Sequence, residues 1–399
     1  MFTNSDKYSI VTAILPNANT NSVLPVVLED PGTSALVWKA RGTLLQDHWW
    51  KRWLPPISPA KTMLQMLVPD ADVSRLVSTI VETGRLHQQA TGAVFSTPCD
   101  SVYLGSEFHV WPGREGAGVT SGQHSLTEDL SIILAIVGHN NADRVSKAAI
   151  NSGTHGPVVY YCEGRGLRDR LGWLRITKEH EKEVMMVITE ESDADGVFEA
   201  MAKAGDVHLP GRGFMYRLKI DRGMFNLPSR ISHHHYDANM QQIINAIDHL
   251  SGHTHWRDQS VFDIGGQGRG VGVEVLKTSP VPIEEQVCLS AWAKREQCSM
   301  VMDMLLDAGA PGLNIAYARF NAAGADAYLA GARLNEEYGM LQCVTSAKVA
   351  QEICGLVERD AEQRGLKDLC ITLREVPRMA TYIPGSTDFR QPANIALAS

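Results

Sequence analysis

One order of secondary-structure elements recurs three times along the 399-residue chain, and this recurrence limits the fold more than any other feature. Each copy opens with an apolar run typical of a strand, continues through a helical stretch ending at a glycine, and enters a second strand ending near an arginine. The first strands are Tyr8 to Leu15, Leu130 to Val137 and Val287 to Ala293, and the helical stretches end at Gly32, Gly153 and Gly309. Such self-similarity indicates duplicated structural units.

A third strand, an amphipathic helix and a final strand complete each copy. The third strands are Thr62 to Val68, Glu183 to Thr189 and Tyr338 to Val344, and the final strands are Gly92 to Thr97, Phe214 to Ile220 and Leu369 to Arg374. The intervening helices carry apolar residues at the spacing of one helix face, as do Val73, Leu76, Val77, Ile80 and Val81. The order β-α-β-β-α-β predicts an α+β fold of three tandem ferredoxin-like units, each with both helices on one sheet face.

The predicted units span residues 1–104, 129–226 and 286–399, the last with a C-terminal tail. A glycine-rich linker, 105–128, joins the first two units, and a histidine-rich insert with an amphipathic helix, 227–285, joins the last two. The first helix of unit 1 is expected to last only a turn or two, because asparagines and prolines interrupt it. These residues are Asn17, Asn19, Asn21, Pro25 and Pro31.

Composition narrows the function classes. The net charge of −8 argues against general nucleic-acid binding, and 44% hydrophobic residues argue against a disordered chain. No apolar run approaches the ~20 residues of a membrane span, and Met1 to Asp6 lacks the order of a signal peptide. The seven cysteines form no CxxC pair, which is typical of buried, reduced thiols. We therefore expect a cytoplasmic protein.

Glycine and arginine recur at two places where an anion could bind. Glycines allow positive φ and turn successive N–H groups toward a ligand, and arginine offers a planar fork for phosphate or carboxylate. The candidate ligand-binding residues are Arg41, Gly42, Gly164, Arg165, Gly166 and Arg319 at the ends of the second strands, and Gly211, Arg212 and Gly213 before the last strand of unit 2. The alternative is that these are tight turns with solvated or ion-paired arginines.

These motifs resemble the nitrogen regulatory PII proteins. Gly164-Arg165-Gly166 is similar to the base of the PII T-loop, the long loop between strands two and three, and Leu209 to Phe214 resembles the PII B-loop. Units 1 and 3 depart from the B-loop pattern, with Thr91-Gly92-Ala93 and Gly365-Leu366-Lys367-Asp368. PII proteins are usually homotrimers that bind effectors between subunits. The resemblance thus implies a divergent single-chain pseudo-trimer that binds an adenine nucleotide (ATP, ADP or AMP) between units.

On this arrangement, Arg212 is expected to face the strand-two end of a neighbouring unit, near Arg41 and Gly42 or near Arg319. Because the units differ in sequence, their three clefts are expected to differ too, with at most one or two binding tightly. The first long loop is rich in tryptophan and basic residues, a composition typical of interface anchors. Its candidate partner-docking residues are His48, Trp49, Trp50, Arg52 and Trp53, and the alternative is burial of this loop against the 99–125 segment.

Six of the fourteen histidines lie in the insert, which raises the question of a metal site. Imidazole is the commonest transition-metal ligand, but the spacing here matches no established motif. The candidate ligands for a divalent metal are His233, His234, His235, His253 and His255. The alternative, which we prefer, is that these are histidines of a polar linker or of helix caps.

Catalytic signatures are missing from the sequence: it has no GxSxG, no Walker A motif and no paired cysteine–histidine signature. The preferred hypothesis is a non-enzymatic, PII-like signalling protein that binds a small anionic effector and docks a protein partner through its T-loops. The first alternative is a structural protein that forms oligomers or filaments from units with decayed ligand sites. The second alternative is a metal-responsive PII-like protein.

Overall fold

The fold was taken from a computed structural model. The structure describes residues 7–28, 35–42, 60–88, 92–108, 110–111, 126–138, 141–154, 156–166, 181–209, 211–226, 250, 286–320 and 336–381. The Trp-rich loop residues His48 to Trp53 and the five candidate metal ligands lie outside these ranges, as does nearly all of the insert.

Three sets of elements follow one another, and we refer to them as repeats 1, 2 and 3. Repeat 1 contains β1 (Tyr8–Pro16), α1 (Asn17–Val27), β2 (Ala35–Gly42), β3 (Ala60–Pro69), α2 (Asp70–Thr83), β4 (Gly92–Cys99) and β5 (Ser101–Leu104). Repeat 2 contains β6 (Leu130–Gly138), α3 (Ala142–Asn151), β7 (Val158–Gly166), β8 (Glu181–Glu190), α4 (Glu191–Gly205), β9 (Gly213–Ile220) and β10 (Arg222–Asn226). Repeat 3 contains β11 (Gln286–Lys294), a 3-10 helix (Arg295–Gln297), α5 (Cys298–Asp307), β12 (Gly312–Phe320), β13 (Glu336–Ser346), α6 (Ala347–Asp360), β14 (Cys370–Val376) and β15 (Arg378–Thr381).

Strand order is the same in the three repeats. The first strand lies between the fourth and the third, and the second strand pairs with the third, which gives β4-β1-β3-β2, β9-β6-β8-β7 and β14-β11-β13-β12. Every one of these pairings is antiparallel. The predicted α+β class is confirmed, and the strands belong to one large antiparallel sheet.

Two further sets of pairings join the repeats in a cycle. The three second strands pair with one another, with Arg41 opposite Val159, Leu313 opposite Arg165 and Arg319 opposite Val37. The short fifth strands each extend another repeat: β5 pairs with β14, β10 with β4, and β15 with β9. Each repeat therefore lends a strand to one neighbour and receives a strand from the other.

The buried apolar residues of the described ranges form four clusters, because the strands are buried on both faces. On each of β1, β6 and β11, alternate side chains point to opposite faces of the sheet. In β11, Cys288 and Trp292 belong to a central cluster shared by all three repeats, whereas Leu289 and Ala291 pack with α5 and α6. Repeats 1 and 2 have their own helix-side clusters in the same way. The near-continuous apolar runs of the first strands follow from this double burial.

Helix α1 is longer than the sequence predicted. It has 11 residues rather than a turn or two, with Pro25 inside it. Its face of Thr20, Val23, Leu24 and Val27 is buried in the helix-side core of repeat 1. Burial of this apolar face outweighs the low helix propensity of asparagine and proline.

The predicted linker contributes to the core. Phe108 packs in the central cluster and Trp111 in the helix-side core of repeat 1, where its Nε1 donates a hydrogen bond to the Val27 carbonyl at 3.3 Å. Sequence reasoning missed β5, β10 and β15 altogether. A single residue separates each of them from the end of the fourth strand of its repeat.

Candidate ligand cleft between repeats 1 and 3

A cavity of about 360 Å³ lies where β2 of repeat 1 meets β12 of repeat 3. Repeat 1 lines it with residues of α1, β2 and β3, and repeat 3 lines it with residues of β12 and β13. The lining residues are Thr20, Leu24, Val37, Trp38, Lys39, Thr62, Tyr317, Ala318, Arg319 and Glu337. We call this cavity the open cleft. Its volume is at the lower end of the range of about 300–1,000 Å³ that small-molecule sites occupy.

Two cations line the open cleft. Lys39 Nζ donates to Thr62 Oγ1 at 3.1 Å, and that hydroxyl donates to Asn17 Oδ1 at 3.3 Å, so neutral partners position the ammonium group. Arg319 is exposed, and its backbone is held by pairing with Val37. Within the described ranges, the Arg319 guanidinium has no carboxylate partner. The open cleft therefore presents positive charge beside apolar walls, which suits an anion with an apolar part.

The carboxylate of Glu337 is held at the edge of the open cleft by another arginine. Glu337 stands opposite Arg319 in the β12–β13 ladder, yet its Oε2 accepts from Arg295 Nη1 at 2.6 Å. The Arg295 guanidinium also lies 4.3 Å from the ring centroid of Tyr317, an arrangement that adds a cation–π contact. These contacts hold Glu337 to Arg295 instead of to Arg319.

The corresponding place between repeats 1 and 2 is closed by an ion-pair network, and we call it the bridged cleft. Arg41 Nη2 lies 3.2 Å from Glu183 Oε1, and Arg41 Nη1 lies 3.1 Å from Asp143 Oδ1. Glu183 is buried and its Oε2 also accepts from the Ala142 N–H at 3.4 Å. Burial lowers the pKa of Arg41, but the hydrogen bonds and charges of Asp143 and Glu183 outweigh it and raise the pKa.

One substitution explains the difference between the two clefts. Glu183 stands opposite Val137 in the β6–β8 ladder, and Thr62 stands opposite Leu15 in the β1–β3 ladder, so the two residues occupy corresponding positions. In the bridged cleft this position carries a carboxylate that neutralises the incoming arginine. In the open cleft it carries a hydroxyl, which leaves the charge of Arg319 available to a ligand.

The third junction joins repeats 2 and 3 at the predicted Gly164-Arg165-Gly166 motif. Gly164 and Gly166 pair with Asn314 and Gly312 of β12. The motif is therefore part of a continuous inter-repeat ladder, and the Arg165 side chain lies outside the described residues. The other predicted strand-two glycine, Gly42, pairs with Val158 of β7.

The Gly211-Arg212-Gly213 segment has a backbone role, in line with the tight turn that was the alternative to anion binding. Gly211 and Gly213 have φ of 75° and 141°, and a Cβ on Gly213 would lie 2.1 Å from the Ile136 carbonyl oxygen. Close approach of β6 to β9 therefore requires glycine at position 213. Gly92, at the start of β4, meets the Ile14 carbonyl in the same way.

Arg212 is exposed beside this turn. A hydrogen bond from Arg144 lowers the pKa of Asp206, and the charge of Arg212 contributes to the same shift from farther away. Asp143, the neighbour of Arg144 in α3, contacts Arg41. The first turn of α3 thus lies between the glycine turn of repeat 2 and the bridged cleft.

Lys39 and Thr62 belong to the open cleft but were not among the predicted site residues. The available signal was the Lys39-Ala40-Arg41 run, in which alternate strand residues share one face.

The described ranges contain no cluster of three or more metal-ligating side chains. None of the described helices has the length and apolar character needed to cross a membrane.

Comparison with solved structures gives low overall similarity. A PII protein of Arabidopsis thaliana bound to citrate is 19% identical with a TM-score of 0.19, over 24% of this chain and 79% of that chain. A microcompartment protein of Desulfitobacterium hafniense DCB is 10% identical with a TM-score of 0.17, over 62% and 96%. An anthrone oxidase-like protein is 9% identical with a TM-score of 0.17, over 58% and 99%. No protein-family model and no curated protein matches the sequence.

Proposed function

We propose that this chain is a non-enzymatic, PII-like regulatory protein, folded as a single-chain pseudo-trimer of ferredoxin-like units, that binds a small anionic effector in the open cleft. The observation that carries the proposal is the Arg319 guanidinium, which lines a cavity between two repeats with no carboxylate partner in the described part of the chain. Lys39 supplies a second positive charge in the same cavity.

The cyclic strand pairing supports the pseudo-trimer. The second strands meet pairwise, and each fifth strand completes a neighbour's sheet, so the three repeats surround one central core. A pseudo-trimer has three clefts between repeats, and these clefts are unequal because the repeats differ in sequence. In the bridged cleft Asp143 and Glu183 neutralise Arg41, which favours the open cleft as the site of an anionic effector.

Regulation would follow from the position of Arg319 next to the end of β12, because a long polar loop is predicted to follow the second strand of each repeat. A ligand that binds Arg319 contacts the base of that loop. A ligand that favours one loop conformation raises the population of that conformation. A partner that recognises this conformation then binds in response to the ligand. An adenine nucleotide is our preferred effector, because its phosphates suit the two cations and its base suits the walls of Leu24, Val37 and Trp38.

Isothermal titration calorimetry with ATP, ADP and AMP tests this proposal. Arg319→Ala removes a charge-assisted contact worth about 1.5–3 kcal/mol, so affinity should fall at least about tenfold. Thr62→Glu, which copies the carboxylate of the bridged cleft, should neutralise Arg319 and abolish binding. Thr62→Gln is the matched control: it has the size of glutamate and a polar oxygen for Lys39 but no charge, so it should retain more binding than Thr62→Glu.

The variant Arg212→Ala distinguishes binding in the open cleft from binding at the Gly211-Arg212-Gly213 turn of repeat 2. If Arg212→Ala abolishes binding and Arg319→Ala does not, the effector binds at that turn. If wild-type protein binds none of the three nucleotides, the nucleotide assignment is wrong.

A scaffold role is a second candidate, and the bridged cleft favours it. There an arginine at the end of a second strand binds carboxylates of the chain itself rather than a ligand. A chain whose three clefts were all of this kind would keep the architecture without sensing. Native mass spectrometry distinguishes the roles: a ladder of higher oligomers with no nucleotide adduct supports the scaffold.

A further inference from the structure

The fourth strands of the three repeats, β4, β9 and β14, come into contact at the centre of the molecule. Arg374 of β14 lies there and is only 5% exposed. It stands opposite Cys288 in its ladder, as Thr97 stands opposite Ile10 in β4 and Leu218 opposite Ile132 in β9. Of these three corresponding positions, only the one in repeat 3 carries a charge.

Every hydrogen-bond partner of Arg374 in the described ranges is neutral. Nη1 donates to Thr97 Oγ1 at 3.3 Å, and Nη2 donates to Ser290 Oγ at 2.9 Å and to Cys288 Sγ at 3.7 Å. Nε is buried and has no acceptor among the described residues. An arginine stays protonated in a protein, and a buried charge without a counter-charge is strongly unfavourable. The centre of the molecule therefore needs a negative charge.

Strands β14 and β11 carry further donors without acceptors. Thr372 Oγ1 and Trp292 Nε1 are buried and have no hydrogen-bond partner among the described residues. Thr372 lies two residues before Arg374 on the same strand face, and Trp292 lies on the face of β11 that carries Ser290. An indole N–H can only donate, and an N–H or O–H without an acceptor is costly when buried.

The neighbouring acidic groups do not bind the guanidinium directly. Burial raises the pKa of Asp100 and the charge of Arg374 opposes that rise, so this carboxylate attracts the guanidinium from a distance, without a hydrogen bond to it among the described residues. Burial raises the pKa of the Tyr216 phenol well above its usual value and raises the pKa of the Cys99 thiol to about 12, so both are neutral at physiological pH. Burial raises the pKa of the Tyr160 phenol as well. An excess of donors around one positive charge is the arrangement that binds an anion.

We propose that a small inorganic anion, of the size and character of chloride, binds beside Arg374 at the junction of β4, β9 and β14. The anion accepts from Arg374 Nε and from the unpaired donors of β11 and β14, and it neutralises the guanidinium. A halide suits this place because it is small and accepts from several donors without a preferred direction. This site is distinct from the open cleft and does not depend on the proposed effector.

Thermal unfolding of the full chain at constant ionic strength tests the proposal. Sodium chloride is exchanged stepwise for sodium gluconate, whose anion is too large for the site. The unfolding midpoint should rise with chloride and saturate, because a ligand that binds only the folded state stabilises it. Arg374→Met should lose this dependence, whereas Arg364→Met, which removes an exposed arginine of a surface ion pair, should retain it.

Two further measurements keep the test decisive if Arg374→Met does not fold. In crystals grown with sodium bromide, anomalous scattering should show a bromide ion within hydrogen-bond distance of the Arg374 guanidinium. A midpoint that responds equally to chloride and gluconate, or a map with no peak there, overturns the proposal. Thiolate absorbance near neutral pH that disappears in Cys288→Ser would also overturn it, because Cys288 would then be the counter-charge.

Discussion

Replacing Arg41 by methionine tests the ion-pair network that closes the bridged cleft. Methionine keeps most of the length and the apolar stem of arginine but removes the charge, so Glu183 loses its partner in the neighbouring repeat. The Glu183 side chain is 3% exposed, and among the described residues the Ala142 N–H is its one remaining donor, at 3.4 Å. The variant therefore leaves a carboxylate buried and poorly compensated.

The expected cost follows from the exposure of each partner. Removing one member of a buried ion pair costs about 3–5 kcal/mol. The Arg41 side chain is 24% exposed, so water reaches part of the site and we expect a loss of about 2–3 kcal/mol. Asp143 is 63% exposed, and Asp143→Asn should cost less than about 0.5 kcal/mol, as exposed pairs do.

Urea denaturation monitored by tryptophan fluorescence measures these losses. Glu183→Gln removes the buried charge, so adding it to Arg41→Met should recover about 1–2 kcal/mol of the loss, which is the coupling expected for contacting residues. Equal losses in Arg41→Met and Asp143→Asn would contradict the reasoning, since the buried carboxylate would then contribute nothing. A double variant that is less stable than Arg41→Met would contradict it as well.

Two other predictions concern backbone geometry and the thiols. Gly213→Ala places a Cβ against the Ile136 carbonyl at a φ of 141°, so it should lower the free energy of unfolding by about 1–3 kcal/mol in a urea titration. Gly355→Ala is the control: its Cβ would contact nothing, so this variant should not destabilise the protein. The native protein should react with a thiol reagent at pH 8 far more slowly than the unfolded chain, because burial raises the pKa of Cys99, Cys162 and Cys354 to about 12. Rapid labelling of the native protein would contradict the conclusion that these thiols are buried. Since the thiols ionise more easily in the unfolded chain, the free energy of unfolding should be greatest below about pH 8.5 and should fall as the pH rises toward 12.

The strands of the fold were predictable because their signal is local. Runs such as Leu130 to Val137 are apolar except for Ser131, and the structure explains this by burial on two faces. The short strands β5 and β15 have only four residues each, too few to show a period, and their partners lie in another repeat. Helix α1 was underestimated for a related reason, since its stability comes from packing rather than propensity.

The candidate site was harder to predict, because its chemistry depends on contacts between distant segments. The sequence identified Arg41 and Arg319 as equivalent anion-binding candidates. Their difference comes from Glu183 and Thr62, and Glu183 lies 142 residues from Arg41 along the chain. Gly213 shows the same limit: its spacing resembled a ligand loop, while its contact with the Ile136 carbonyl appears only in the folded sheet.

The exchange of fifth strands also affects how the chain folds as it leaves the ribosome. Strand β4 emerges early, but β10, which covers its edge, follows only after repeat 2 has been synthesised, and β9 waits in turn for β15. Until then the nascent chain carries open sheet edges, which readily pair with other chains. Crowded polysomes would favour such mispairing between adjacent nascent chains, so slower elongation or a chaperone that shields β-edges should raise the yield of correctly closed molecules.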